Sequence, residues 1–294
     1  ISFLKEINTT LEMQGYKFLN RDFLYNSPRV GAIQDNYILG IGDELIVITT
    51  GGSNTADKSF INREGNLVFN KLNIRPISAL GRSLGDVKNE IRNEIKISML
   101  ETESYISLGK IRQLNVLLTG EVRLQGLKTL SGLSNVLDII NLGMGIKKSG
   151  SLRSIKLINN NNVINFDLYD IMFGRISKKI ELPILSDDTV VVVPSINNTV
   201  AIIGDINRHG IYELSEKNLS VKELISYSGG LSREGKLKIS LQRIDKETGK
   251  LFLKGNIPLN MKLINGDIII VSQSISDLKE SVLVSGGIKN PSIY

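Results

Sequence analysis

The sequence predicts an α+β chain of several small domains in series, and three observations support this. The first is self-similarity. Val116-Leu117-Leu118-Thr119-Gly120-Glu121-Val122 returns as Val200-Ala201-Ile202-Ile203-Gly204-Asp205-Ile206, and again as Val282-Leu283-Val284-Ser285-Gly286-Gly287-Ile288. Gly120 and Gly204 lie 84 residues apart, Gly204 and Gly286 lie 82 apart, and a near-constant period with one local pattern is the mark of tandem units. The second observation is a helix signal inside each copy. Ser134 opens an apolar stretch that stops at Gly143, and Ser220 opens one that stops at Gly229, nine residues on in both cases. Ser220 with Glu223 has the spacing of a capping box, so each stretch predicts a helix of about two turns. The third is a closing strand. Asp188 precedes Thr189-Val190-Val191-Val192-Val193-Pro194, and Asp267 precedes Ile268-Ile269-Ile270-Val271; such β-branched runs favour buried strands. Each unit of about 80 residues is then a small α+β domain, with Gly120 expected over Gly204, Ser134 over Ser220 and Asp188 over Asp267.

The region ahead of the repeats is unlike them. Residues 1–36 are polar and mixed, with a helix expected near 1–19. Tyr37-Ile38-Leu39-Gly40-Ile41-Gly42-Asp43-Glu44-Leu45 reads as a tight turn feeding a strand, and 61–69, with Glu64-Gly65-Asn66 at its middle, as a hairpin. Ser83-Leu84-Gly85-Asp86 starts a helix whose Leu84, Val87, Ile91 and Ile95 share one face. This region reads as a separate α+β domain ending near Lys110.

Composition narrows the function classes. Of 294 residues 41% are hydrophobic and 22% charged, as in ordinary globular protein. Aromatic residues make up 5%, with no Trp, which argues against stacking platforms for sugars or single-stranded nucleic acid. The net charge of +6 is spread among acidic residues without a dense basic block, so no nucleic-acid partner is expected. There is no cysteine, which removes disulfides and thiolate metal sites. No apolar run approaches the ~20 residues that span a bilayer. The chain opens at Ile1 without a signal-peptide pattern and reads as a segment of a longer protein.

Nothing in the sequence assembles a catalytic or metal centre. His209 is the sole histidine and sits in the turn Arg208-His209-Gly210, where a solvated loop residue is expected rather than the base of a triad. Gly230-Leu231-Ser232-Arg233-Glu234-Gly235-Lys236-Leu237 has phosphate-loop spacing, but Leu237 replaces the hydroxyl that would hold magnesium, and a helix precedes it where a strand is needed. Gly143-Met144-Gly145 lacks the third glycine of a dinucleotide fingerprint. The carboxylates Asp187-Asp188 and Asp245/Glu247 give no sign of converging for glycosidic chemistry. No enzyme, cofactor or metal site is expected.

Taken together, the motifs resemble bacterial outer-membrane polysaccharide export proteins of the Wza type. Tyr37, Gly40, Gly42 and Asp43, followed by Gly65 and the Ser83 helix, resemble the family's polysaccharide export domain. The repeats resemble its soluble-ligand-binding β-grasp (ubiquitin-like) domains through Gly120, Gly150-Ser151-Leu152-Arg153, Asp167-Leu168-Tyr169-Asp170, Gly204-Asp205-Ile206, Ile211-Tyr212-Glu213, Ser228-Gly229-Gly230 and Asp267. Departures are Gln125-Gly126 and His209-Gly210 where the family often has Pro-Gly, and Gly143-Met144-Gly145 in place of an adjacent glycine pair. The family's lipidated cysteine and membrane-crossing helix are not in this sequence. The resemblance implies a multidomain, elongated chain. An N-terminal segment at 1–36 leads to an export domain at 37–113 and β-grasp domains at 114–196 and 197–275, and the start of a third occupies 276–294. It further implies a ring-shaped homo-oligomer that conducts capsular or extracellular polysaccharide through the periplasm, attached to the outer membrane. An inner-membrane polysaccharide copolymerase or tyrosine kinase is the implied partner. The rival expectation is a periplasmic glycan-binding scaffold that forms no pore.

Overall fold

A computed structural model describes residues 11–19, 33–160, 162–173, 182–214, 219–232, 237–245, 248–273, 283–284 and 292–293. The fold is mixed, with strands predominating and several separate sheets.

The first unit is built on strand β1 (Glu44–Gly51), flanked antiparallel by β2 (Thr55–Phe60) and later by β5 (Thr102–Leu108) in the order β2-β1-β5. Period-two alternation sends Leu45 and Val47 into the core while Ile48 faces outward. Against that face lies helix α1 (Leu84–Ser98), burying Leu84, Val87, Ile91 and Ile95, the stripe read from the sequence. Ser83 caps it, its side chain accepting from the Asp86 amide at 3.1 Å. The expected hairpin over 61–69 is not formed. Asn62 instead closes a tight turn, its side-chain oxygen accepting from the amides of Glu64 (3.1 Å) and Asn66 (2.9 Å). The short strand that leaves it, β3 (Asn66–Leu67), pairs with β4 (Ile77–Ser78). β2 already spends its ladder on β1, so its continuation has to find another partner.

Two five-stranded sheets follow. The first has β6 (Gln113–Gly120), β7 (Gly126–Ser131), helix α2 (Val136–Leu142), β8 (Ile155–Asn159), β9 (Asn162–Phe166), the single turn α3 (Tyr169–Met172) and β10 (Val190–Val193). The second has β11 (Thr199–Gly204), β12 (Gly210–Glu213), α4 (Val221–Tyr227), β13 (Leu237–Ile244), β14 (Leu251–Lys254) and β15 (Ile268–Gln273). The strand orders are β7-β6-β10-β8-β9 and β12-β11-β15-β13-β14. In both, the first and last strands lie side by side in parallel, with every other neighbour antiparallel. Gly120 stands opposite Val193 as Gly204 stands opposite Val271, so the expected pairing of the two glycines holds.

Two of the expected equivalences shift by one residue. Helix α2 is capped by Asn135, not Ser134. The Asn135 side chain accepts from the Leu137 amide at 2.9 Å and the Asp138 amide at 3.2 Å, and Asp138 bonds back to the Asn135 amide at 2.7 Å. Ser220 and Glu223 make the same box on α4. At the closing strand, the Leu117 amide donates to the Thr189 carbonyl as the Ala201 amide donates to that of Asp267, which sets Thr189, not Asp188, over Asp267. Asp188, at φ 60°, occupies the turn position of Gly266 at φ 88°. Asn135→Ala is therefore expected to lower stability by about 1 kcal/mol, and Ser134→Ala by less than about 0.5 kcal/mol. Urea melts of the two variants check the assignment.

The repeat leaves one further trace. Leu283–Val284 pairs antiparallel with Ser292–Ile293, with Val284 opposite Ser292, the register of Ile202 opposite Gly210 carried forward by the 82-residue period. The rest of the expected third copy, Gly286 included, lies outside the described residues.

The expected helix near 1–19 is not seen over its described part, 11–19. There Glu12 to Gln14 run parallel beside β12: the Ile211 amide donates to the Glu12 carbonyl at 2.9 Å, and the Gln14 amide to the Ile211 carbonyl at 2.8 Å. A 3₁₀ turn, Tyr16–Leu19, follows. The open edge of β12 supplies the backbone partners that a helix would otherwise have supplied. Tyr16 and Phe18 then pack on a hydrophobic core that runs without a break through both five-stranded sheets, while the first unit keeps a core of its own.

Candidate functional site

The residues singled out by sequence fall into three places. The first is the entry to β1, where Asp43 is fully buried. It accepts from the Tyr37 hydroxyl (3.0 Å), the Gly40 amide (2.8 Å), the Arg112 amide (2.8 Å) and the Arg112 guanidinium (2.6 Å). Gly42, at φ 92°, makes the turn that brings these donors round, and Gly65, at φ 81°, offers its carbonyl to the amides of Ala79 and Leu80. Burial, with the Asp43 carboxylate second, pushes the Tyr37 phenol well above its usual range, so it stays a neutral donor. Arg112, which sequence reading missed, immediately precedes β6. The motif therefore fastens the first unit to the first five-stranded sheet.

The second place is the joint between the two five-stranded sheets. Gly150 is hemmed in by the Glu121 backbone and Ile146, and a Cβ there would sit 2.7 Å from either. Its carbonyl accepts from the Tyr16 hydroxyl at 2.5 Å. Next along the chain, the Ser151 hydroxyl donates to Glu213 of β12, and the Leu152 amide donates to the other Glu213 oxygen at 2.8 Å. Arg153, 7% exposed, donates to Asp167 from two nitrogens (3.0 and 2.9 Å), to the Glu213 carbonyl (3.2 Å) and to the Tyr227 hydroxyl on α4 (3.2 Å). Its guanidinium lies over the rings of Tyr169 and Tyr227 at 4.7 and 5.2 Å, with the two rings edge to face. One arginine thus ties the first sheet's loop to the second sheet's strand and helix. Asp167 and Glu213 stand in the sequence motifs; Ser151–Glu213 and Arg153–Tyr227 contacts join residues 62 and 74 apart, a pairing no local pattern signals.

Burial pushes the Glu213 carboxyl up, against the opposing pull of Ser151, the Leu152 amide and Arg153, and burial pushes Asp167 up in spite of its pairing with Arg153. A carboxyl with a folded pKa above its unfolded value binds its proton more tightly when folded. Its ionised form therefore costs stability at neutral pH, and that cost is relieved as pH falls through the folded pKa towards the unfolded ~4.3 of Glu. From about pH 7 to about pH 5, the stability of the native chain is expected to rise relative to Glu213→Gln, in which this group no longer titrates. Urea melts at the two pH values read the difference, and parallel curves for the two proteins would count against it.

The third place is the turn system of the second sheet. Gly204 (φ 100°) packs so closely on β15 that a Cβ would collide with the Val271 carbonyl, and Gly120 (φ 90°) meets Val193 in the same way. Gly229 and Gly230 (φ 82° and 81°) end α4. Their counterparts after α2 are Met144 (φ 60°) and Gly145 (φ 83°), so Met144 takes a left-handed position without a glycine. Asp267 is fully buried and held bidentately by Arg243 at 2.7 and 2.8 Å.

The discounted motifs are distributed as follows. His209 Nε2 lies 2.8 Å from the Gly204 carbonyl, the place that Gln125 takes against Gly120 at 2.7 Å, so both side chains close the same turn. Gly230 follows a helix, and positions 233–236 of the phosphate-loop-like stretch, Lys236 among them, lie outside the described residues. Asp187 accepts from the Asn115 amide and Asp245 from Thr248, at separate turns; Glu247 lies outside the described residues. Among the described residues no group of three or more His, Asp or Glu is placed to hold a metal ion, and no helix is long and apolar enough to cross a membrane.

Beside the joint a polar cleft opens, lined chiefly by Ser154, Lys156, Ser195, Asn197, Asn198 and Glu213. A mixed sheet of order 2-1-5-3-4 with its helix between the second and third strands is a β-grasp arrangement. Residues 199–252, from β11 into β14, match the family model of the SLBB domain, a soluble ligand-binding β-grasp domain found in polysaccharide export proteins.

Proposed function

We propose that this chain is a non-enzymatic subunit of a conduit for capsular or extracellular polysaccharide. In this reading, residues 37–113 are an export domain, 114–196 and 197–275 are tandem β-grasp domains, and 276–294 begin a third. Subunits close into a ring in the periplasm, attached to the outer membrane in the full-length protein, and work with an inner-membrane copolymerase. The observation that carries the reading is that the sheet bearing the SLBB match is preceded by a second sheet of the same order and register. The Tyr37–Asp43 motif ahead of both supports the export domain. A long solvated polymer needs an enclosing wall that one subunit cannot supply, and head-to-tail contacts that close give one.

The test is the mass and shape of the full-length protein in detergent or lipid, by light scattering and particle imaging. A closed ring is expected. A monomer overturns the conduit and leaves a glycan-binding scaffold.

A further inference from the structure

We propose that the cleft beside the joint is a subsite for one neutral, hydroxyl-rich sugar unit, held by hydrogen bonds alone. The proposal rests on the reading of polysaccharide as the passenger and adds where, and by what chemistry, the chain is touched.

The walls of the cleft are fixed in advance. The Ser151 amide donates to the Pro194 carbonyl at 2.7 Å, the Ile196 amide to Ser149 at 2.8 Å and the Leu214 amide to Asn198 at 2.9 Å. The connection between the two sheets is therefore bonded to both of them, and little ordering remains to be paid for on binding.

The side chains on those walls are unspent. Among the described residues, Ser154 Oγ, Lys156 Nζ, Ser195 Oγ and the side-chain amides of Asn197 and Asn198 have no hydrogen-bond or ion-pair partner. Each Glu213 oxygen has accepted one bond and has lone-pair capacity for another. Donors and acceptors thus line one small space together, which suits hydroxyls that must donate and accept at once. A free phosphate needs donors only.

Charge points the same way. Lys156 is the single cation on the cleft wall and Glu213 the single carboxylate, while Arg153 and Asp167 are paired with each other behind it. The balance removes the drive to collect anions. No aromatic ring lines the cleft, so stacking adds nothing, and hydrogen bonds exchanged against water give millimolar rather than micromolar affinity. A passenger held this weakly is released again, as passage requires.

The experiment is an amide-resolved NMR titration of the 294-residue chain with three probes: a β-1,4-linked glucose tetrasaccharide, a glucuronate-bearing tetrasaccharide and inorganic phosphate. The neutral tetrasaccharide is expected to shift residues 151–156, 194–198 and 213–214, with a midpoint of about 1–10 mM. The double variant Asn197→Ala/Asn198→Ala should weaken that response about tenfold and leave the thermal midpoint unchanged. Phosphate or the glucuronate probe binding about tenfold tighter would make this an anion site and overturn the proposal. So would shifts that avoid these residues, shifts that survive the double variant, or no response to the neutral sugar up to its solubility. The ring measurement on the full-length protein is independent of all these outcomes, so the subsite can fail while the conduit stands.

Discussion

Arg153→Ala is expected to lower the unfolding free energy by about 3 kcal/mol and to split a shared unfolding transition in two. The size follows from burial. Removing one partner of a buried ion pair costs about 3–5 kcal/mol, and the lower end applies because the Asp167 side chain keeps 24% of its surface in solvent. The split follows from where the bonds go. Arg153 reaches Asp167 within the first sheet's chain and Glu213 and Tyr227 in the second, so its loss removes cohesion between the sheets as well as stability within one. Arg153→Lys keeps the charge but lacks the planar fork and the stacking face, and should recover less than half of the loss. Urea unfolding followed separately by tyrosine fluorescence and by far-ultraviolet dichroism reads both effects. A variant that melts in one transition at the native midpoint would show that the joint is not held by this residue.

Gly204→Ala is expected to be more damaging still, and Gly230→Ala serves as its control. Both glycines have positive φ, at 100° and 81°, and a non-glycine residue in that region costs about 1–3 kcal/mol. They differ in surroundings. A Cβ on Gly230 meets nothing within 4 Å, whereas one on Gly204 runs into the Val271 carbonyl in the parallel pair at the sheet's centre. The control should therefore lose only the backbone term. Gly204→Ala must in addition part β11 from β15, and is expected to lose about 4 kcal/mol or more, at the extreme end of single substitutions. Gly120→Ala should behave like Gly204→Ala, because Val193 takes the place of Val271. Equal losses for Gly204→Ala and Gly230→Ala in thermal melts would contradict the steric account.

How much was legible depended on the range of the contacts. The stripe Leu84, Val87, Ile91, Ile95 was readable because a helix puts such positions on one face. The repeat was readable because two turns packed equally closely on a neighbouring strand both require glycine, as at Gly120 and Gly204. The helix-cap equivalence slipped by one residue for a local reason. The sequence reading took Ser134 as the cap, but asparagine caps a helix as well as serine does, and the bonds of Asn135 place the cap one residue on. The hairpin at 61–69 failed because its turn chemistry was correct but its strand partner, β4, lies further along the chain. The joint was the least readable. Gly150 and Arg153 were named as motif residues, but their partners Tyr16, Glu213 and Tyr227 come from distant segments, and nothing in an amino-acid string marks which buried carboxylate an arginine will meet. The motif residues are fixtures of the frame; the cleft beside them is lined by ordinary polar residues with no pattern to announce it.

The strand formed by residues 12–14 sets an order of events during synthesis. Gln14 meets the His209 carbonyl 195 residues further on, so the contact cannot form until the intervening residues have been made. At about 5–20 residues per second, that is a delay of about 10–40 s. Throughout it the early segment has no edge to join, and once β12 emerges its own edge is bare until the two meet. The second sheet is thus completed by a segment made well before the strand it joins. A chain lacking residues 12–14 would leave β12 permanently open to a strand from a neighbour, and the first sign would be concentration-dependent association during refolding.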